Sequence, residues 1–224
     1  VVRGGLEIQK KDAATNENVG VAVFEIINKN NFDVVARDAD GNVLGTAEAG
    51  QALNYAITTD ASGHFKSSDN FLPVGEYELV EVAAPAGYYL NTNPKPFEIK
   101  DNRATVSLEY ADDKIVIDVA KTDGKGNNVA GAKLTLIEKD TGNEVATFIT
   151  TKENTDISKF VAGGKTYILR EDETPFGFNK FEDIEFTVTG TRQSEQIISA
   201  VDQRKVFYVS AIKVDAMDTS KKLK

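Results

Sequence analysis

The chain has 224 residues, 41% hydrophobic and 27% charged, an ordinary globular balance with room for two small domains or one large one. A net charge of -9 argues against nucleic acid or an anionic membrane as partner. With no cysteine, a disulfide scaffold and a thiolate metal site are excluded, and no run is long and apolar enough to cross a bilayer.

Short β-branched and aromatic runs follow one another from the start, and no amphipathic helix longer than about two turns is predicted. LEIQKKD opens the series, with Leu6, Ile8 and Lys10 on one strand face. VAVFEI follows, then DVVARDADGNVLGTAEA, which reads as a hairpin around Gly41. Asp38-Ala-Asp40-Gly-Asn42 looks faintly like a calcium loop, but Gly41 stands fourth rather than sixth, which favours a plain turn. The only histidine, His64, follows a second turn, and a single imidazole makes neither a metal site nor a triad.

YELVEVAAPAGY, residues 77 to 88, places Tyr77, Leu79 and Glu81 on one face, so a carboxylate points inward with the apolar residues. Asn93-Pro94-Lys95-Pro96 reads as an exposed loop. The next strand carries Val106, Leu108, Tyr110 and Asp112 on one face and turns Asp113 outward.

The pattern then starts again. KIVIDVAKTD puts Ile115, Ile117, Val119 and Lys121 on one face, and KLTLIEK follows. YILREDETPFGF repeats the earlier motif, with Tyr167, Leu169, Glu171, Pro175, Gly177 and Phe178 standing for Tyr77, Leu79, Glu81, Pro85, Gly87 and Tyr88. Asp202 ends a strand with Ile198 and Ala200 on its face, although Ile197 and Val201 are apolar too. Glu81 to Asp112 and Glu171 to Asp202 both span 31 positions (112 − 81 and 202 − 171). Lys10 to Glu81 spans 71 positions and Lys121 to Glu171 only 50, so an insertion of 21 falls within about 28–56. A third leading strand, FYVSAIKVD, aligns Phe207, Val209, Ala211 and Lys213.

Each repeat therefore aims a lysine, a glutamate and an aspartate into its own core. Desolvation lowers a lysine pKa and raises those of carboxylic acids. A neutral amine is a nucleophile, and a protonated glutamic acid can polarise the aspartate carboxyl and shuttle protons. Held in contact, amine and carboxyl would condense to an amide with loss of one water. The alternative is a buried ionic triad. Such a triad is often replaceable by apolar residues at no cost, so its repetition suggests a use.

The Lys-x-Asp strand end, the Tyr-x-Leu-x-Glu-x-x-Ala-Pro-x-Gly-Tyr motif and the closing-strand aspartate resemble the Cna B-type domains of Gram-positive sortase-assembled pilins and surface adhesins. The resemblance covers nearly the whole chain. It implies an all-β protein: two tandem Ig-like sandwiches at 1–113 and 114–204, plus the first strand of a third domain over 205–224. It implies a Lys10–Asp112 cross-link with Glu81 as catalytic acid, and a Lys121–Asp202 cross-link with Glu171 in that role. Lys213 is then the orphan donor of the third domain. The family also uses Asn as acceptor, and this chain has Thr174 and Phe178 where Ala and Tyr are common.

The function so implied is a structural stalk or shaft segment, with no enzymatic turnover, cofactor or metal. Its partners would be neighbouring domains or subunits of the same pilus or stalk, and its place an extracellular, wall-anchored surface. A ligand-binding adhesin module is the alternative, contacting host matrix or glycan through the insertion. That insertion is mostly polar and small, with Phe32 and Tyr55 its main aromatics. The chain opens without a secretory leader and ends in LysLysLeuLys without a wall-sorting signal, which reads as a cut fragment or a cytosolic protein.

Overall fold

The computed structural model describes residues 1–189, 195–214, 216–218 and 220. Asp215 of the third Lys-x-Asp and the closing 221–224 run lie outside them. The strands of the first half are β1 (Arg3–Gly4), β2 (Leu6–Asp12), β3 (Val23–Asn28), β4 (Val34–Arg37), β5 (Val43–Ala47), β6 (Ile57–Thr58), β7 (His64–Lys66), β8 (Leu72–Pro73), β9 (Gly75–Ala83), β10 (Lys95–Ile99) and β11 (Val106–Asp112). The second half has β12 (Ile117–Asp123), β13 (Lys133–Glu138), β14 (Glu144–Ile149), β15 (Thr155–Asp156), β16 (Thr166–Glu173), β17 (Phe178–Asn179), β18 (Ile184–Thr187) and β19 (Gln196–Arg204). The protein is all-β, as the alternating runs require; its helical content among the described residues is a single 3-10 turn, Ser158–Phe160.

In the first half, the sheets run β10-β9-β3-β6 and β11-β2-β7. In the second they run β14-β13-β16-β18 and β15-β12-β19-β17. Among the described residues, no sheet mixes strands of the two halves. Strand alternation sends one side of each strand inward. Leu6 and Ile8 from one sheet meet Phe24, Ile26, Tyr77 and Leu79 from the other in the first core. Ile117, Val119, Leu134, Leu136, Tyr167 and Leu169 do the same in the second.

One pairing sets the whole arrangement. The first and last strands of each half lie side by side and parallel. β2 faces β11 with Lys10 opposite Tyr110 and Asp12 opposite Asp112. β12 faces β19 with Lys121 opposite Ala200 and Asp123 opposite Asp202.

The insertion forms the expected hairpin, β4 with β5, and sends Val34, Ala36, Ala47 and Leu53 into the first core. The 93–96 stretch is a loop only at Asn93 and Pro94. Lys95 and Pro96 open β10, an edge strand, where a proline costs no ladder bond. The 205–213 run forms no strand, and Phe207, Val209 and Lys213 are exposed. An apolar stripe needs a second layer to bury it, and the described residues supply none there.

The halves are joined by backbone. Residues 87–89, the end of a turn with the isolated bridge Tyr88–Lys114, lie between the incoming chain and the 161–163 segment of the second half. On one side Tyr89 N–H donates to Asp113 O (2.9 Å) and Ile115 N–H to Gly87 O (2.8 Å). On the other, Gly87 N–H donates to Val161 O (2.7 Å) and Gly163 N–H to Tyr88 O (2.9 Å). Tyr89 is buried in the second core. Gly163 is needed for this approach, because a Cβ there would sit 2.3 Å from Leu90 N.

Candidate functional site

Lys10 continues the buried stripe Leu6, Ile8 to the end of β2. Glu81 does the same on β9 after Tyr77 and Leu79, and Asp112 closes β11 after Tyr110. Lys10 Nζ lies 3.0 Å from Glu81 Oε1 and in tighter contact with Asp112 Oδ1, and all three side chains are 0% exposed. The second half brings its three together likewise. Lys121 Nζ is 2.5 Å from Asp202 Oδ1 and 3.7 Å from Glu171 Oε1. Both sets of sequence-predicted residues therefore converge in the two cores.

In each core a backbone N–H fixes the second glutamate oxygen. Asn91 N–H donates to Glu81 Oε2 (3.0 Å), and Phe181 N–H to Glu171 Oε2 (3.4 Å). The first oxygen is left to face the lysine. An aromatic ring covers each ammonium nitrogen: Tyr110 at 4.7 Å from Lys10, Phe181 at 4.9 Å from Lys121. Burial, reinforced by the Asp112 charge and opposed by Lys10, pushes Glu81 up to about 8. Burial likewise raises Asp112 and Glu171.

Close as they are, these contacts are poorly directed. Lys10 Nζ, Lys121 Nζ and both carboxylate oxygens of Asp112 and Asp202 make no well-aligned hydrogen bond. A buried ion pair that serves stability needs its remaining protons and lone pairs satisfied. These two sites combine charge, proximity and incomplete satisfaction, which suits groups set up to react.

Residues 4–114 and 116–204 each match the family described as SpaA, prealbumin-like fold domain. The chain belongs to this family. Its two SpaA-type domains are the class that the residue pattern resembled, the Cna B-type domains. Comparison with curated proteins gives no match. Among solved structures, the chain is similar to the Bacillus anthracis TIE protein, at 24% identity and TM-score 0.40, covering 91% of this chain and 34% of that one. It is similar to a Streptococcal ancillary pilin at 16% identity and TM-score 0.45, covering 92% and 63%. It is also similar to the shaft pilin SpaA of Lactobacillus rhamnosus GG, at 12% identity and TM-score 0.37, covering 93% and 99%. The chain thus spans less than two thirds of the first two of these proteins.

Two further buried residues of the SpaA-type domains had no role assigned from sequence, the aspartates of Lys-x-Asp. Asp12 Oδ1 accepts Ala14 and Thr15 N–H, while Oδ2 meets Tyr88 Oη (3.0 Å) and Lys114 Nζ (3.2 Å). These bonds hold its carboxyl well below the usual range. Asp123 Oδ1 accepts Lys125 and Asn127 N–H, and its Oδ2 takes two bonds from Arg204. Each aspartate shapes the turn after the leading strand and grips a cation at the end of the last one or just past it, Arg204 closing β19 and Lys114 standing two residues after β11.

The remaining sequence features stay outside the two sites. His64 Nε2 lies 2.8 Å from Glu7 Oε1 on a neighbouring strand. The Asp38 carboxylate is taken by Asn42 of its own loop, and no group of metal-holding side chains occurs among the described residues. The rings over the lysines were half visible in sequence. Tyr110 shares the inward face of Asp112, whereas Phe181 follows a turn where no periodicity marks it.

Proposed function

We propose that the chain is a stalk or shaft segment of a Gram-positive pilin or surface adhesin, made rigid by self-formed amide bonds Lys10–Asp112 and Lys121–Asp202. The observation that carries this is the duplicated convergence of a fully buried lysine, glutamate and aspartate at contact distance.

Amide formation requires the lysine as a neutral amine and both carboxyls protonated. Nζ attacks Cγ of the aspartic acid and the C–N bond forms. Glu81 or Glu171 takes a proton from the nitrogen and returns one to the departing hydroxyl. The C–O bond breaks, water leaves, and the glutamic acid ends as it began. Each domain does this once. It is internal chemistry without turnover, and the protein is no enzyme in the ordinary sense.

The parallel pairing supports the mechanical reading. In each domain, tension enters at the start of the first strand and leaves at the end of the last. Parallel neighbours are loaded in shear, and the bond would join them close to the exit, at the last residue of β11 and two residues before the end of β19. Load then passes from Lys10 directly to Asp112, bypassing the chain between. Partners on this reading are adjoining domains or subunits of the same fibre, and its place is the outer surface of a wall-anchored cell.

The test is the intact mass of the denatured chain. A deficit of two waters is expected, with Glu81→Ala and Glu171→Ala each restoring one. The full unmodified mass would overturn the cross-links and leave two buried ionic triads.

A further inference from the structure

The two domains end alike, and one end is covered while the other is bare. A shift of 90 positions (171 − 81) carries Pro85, Gly87, Tyr88 and Lys114 onto Pro175, Gly177, Phe178 and Arg204. The local bonds carry over too. Tyr88 pairs with Lys114 as Phe178 pairs with Arg204. Gly87 O accepts Ile115 N–H and Gly177 O accepts Lys205 N–H, both at 2.8 Å. Gly87 and Gly177 share the left-handed backbone, φ 89° and 90°.

What differs is the cover. In the first domain Ala84, Pro85 and Tyr89 are buried, and a Cβ on Gly87 would meet Lys159 and Ser158. In the second, Phe176 is 95% exposed, Asn179 is exposed, and a Cβ on Gly177 would meet nothing within 4 Å. Phe176 stacks on Phe207, at 6.2 Å, and 206–209 are exposed beside it.

The receiving edges are not equivalent either. In the second domain the edge at 161–163 is filled by the first domain's corner. The same shift places that edge at 71–73 in the first domain, and there the chain's own β1 fills it. Arg3 and Gly4 pair with Pro73 and Leu72, and the Arg3 guanidinium donates to Val35 O and Phe71 O, both at 2.8 Å. Both receiving edges of this chain are therefore occupied, and a second copy offers none to a bare corner.

We propose that the 176–179 corner, with the exposed 205–209 run, is a docking surface for a further SpaA-type domain. Its first strand is the 207–213 run, and its edge at the positions of 161–163 is left open by its own leading strand. The corner enters that edge as an added strand, through backbone bonds of the kind Gly87 and Gly163 make. The two ends thus differ: the receiving edge of the first domain is filled by β1, and the second domain carries a bare corner to insert. This inference does not depend on the amide bonds.

The test extends the chain after Lys213 with a second copy of residues 122–204 and follows amide hydrogen exchange. The Gly177 amide is expected to exchange about tenfold more slowly than in the unextended chain. Leucine in place of the added copy's Gly163 should restore fast exchange while that copy's strands stay protected. Unchanged Gly177 exchange beside a protected added domain would overturn the proposal. A second measurement needs no extension: sedimentation of the 224-residue chain at rising concentration should show a monomer. Self-association abolished by Phe176→Ser would overturn the proposal in favour of a second copy.

Discussion

Tyr110 and Phe181 hold the same position over a buried lysine nitrogen, yet they do not correspond in the repeat. The residue matching Tyr110 is Ala200, and the residue matching Phe181 is Asn91. One domain supplies the ring from the strand opposite its lysine, the other from the loop whose N–H holds its glutamate. The site needs an apolar cover of a given volume and accepts it from either direction. Removing the ring would admit water and weaken the desolvation that raises the Glu171 carboxyl. Phe181→Ala is expected to slow formation of the Lys121–Asp202 bond and leave Lys10–Asp112 unaffected. Peptide mapping of the two cross-links against time checks this.

The pH dependence follows from Glu81. Its folded value is raised to about 8, so the folded site holds a proton across the window from the ordinary glutamate range up to that value. Bond formation in the first domain should therefore proceed below pH 8 and fall away as pH rises through it. Before the bond forms, the same shift makes the folded domain lose stability as pH climbs through that window. Mass spectrometry on unreacted chain refolded at a series of pH values reads the rate.

Lys10→Met keeps the bulk of the side chain but forms no bond. Loop closure over roughly 100 residues, treated as for a disulfide, is worth about 4–5 kcal/mol. The first unfolding transition should fall by roughly 16–40 °C. Calorimetry of the variant beside the parent chain measures it.

Pulling on single molecules gives an independent reading. With the bonds in place, residues 11–111 carry no load and cannot extend. In Glu81→Ala they can, and a new lengthening step of about 340 Å should appear. Parent chains that show the step would rule out the first cross-link.

Gly163→Leu puts side-chain atoms where Leu90 N and the Tyr89 backbone now lie. The joint should open, with faster exchange at the Gly87 amide and a broader spread of interdomain angles in small-angle scattering. Both mass deficits should survive, because none of the six triad side chains bonds to a residue of the joint.

Much of the two triads was legible because strand alternation has a period of two. Once Tyr77 and Leu79 are inside, Glu81 must be inside with them, and the same argument holds for Lys10 and Asp112. What alternation cannot show is which strands become neighbours. The parallel seating of β2 beside β11 depends on contacts a hundred positions apart, and it alone brings Lys10 to Asp112. The ring of Phe181 was hidden for a related reason: it arrives from a loop, where no period applies. The 207–213 stripe has a strand's pattern and forms none, because pattern states a demand for cover and does not provide it. The corner at 84–89 was read only as a motif following a glutamate. Its place between the domains rests on backbone bonds, which carry no signature in side-chain order.

Tyr89 bears on how this protein can be taken apart. It lies within the first matched domain, residues 4–114, yet its ring completes the core of the second, residues 116–204. Scissors applied between the two matched segments would separate the sequence cleanly and still cut through a packed interior, leaving the downstream fragment with a hole the size of a tyrosine. The border drawn along the chain and the border drawn through space are different lines. A fragment meant to stand alone should be trimmed to the second.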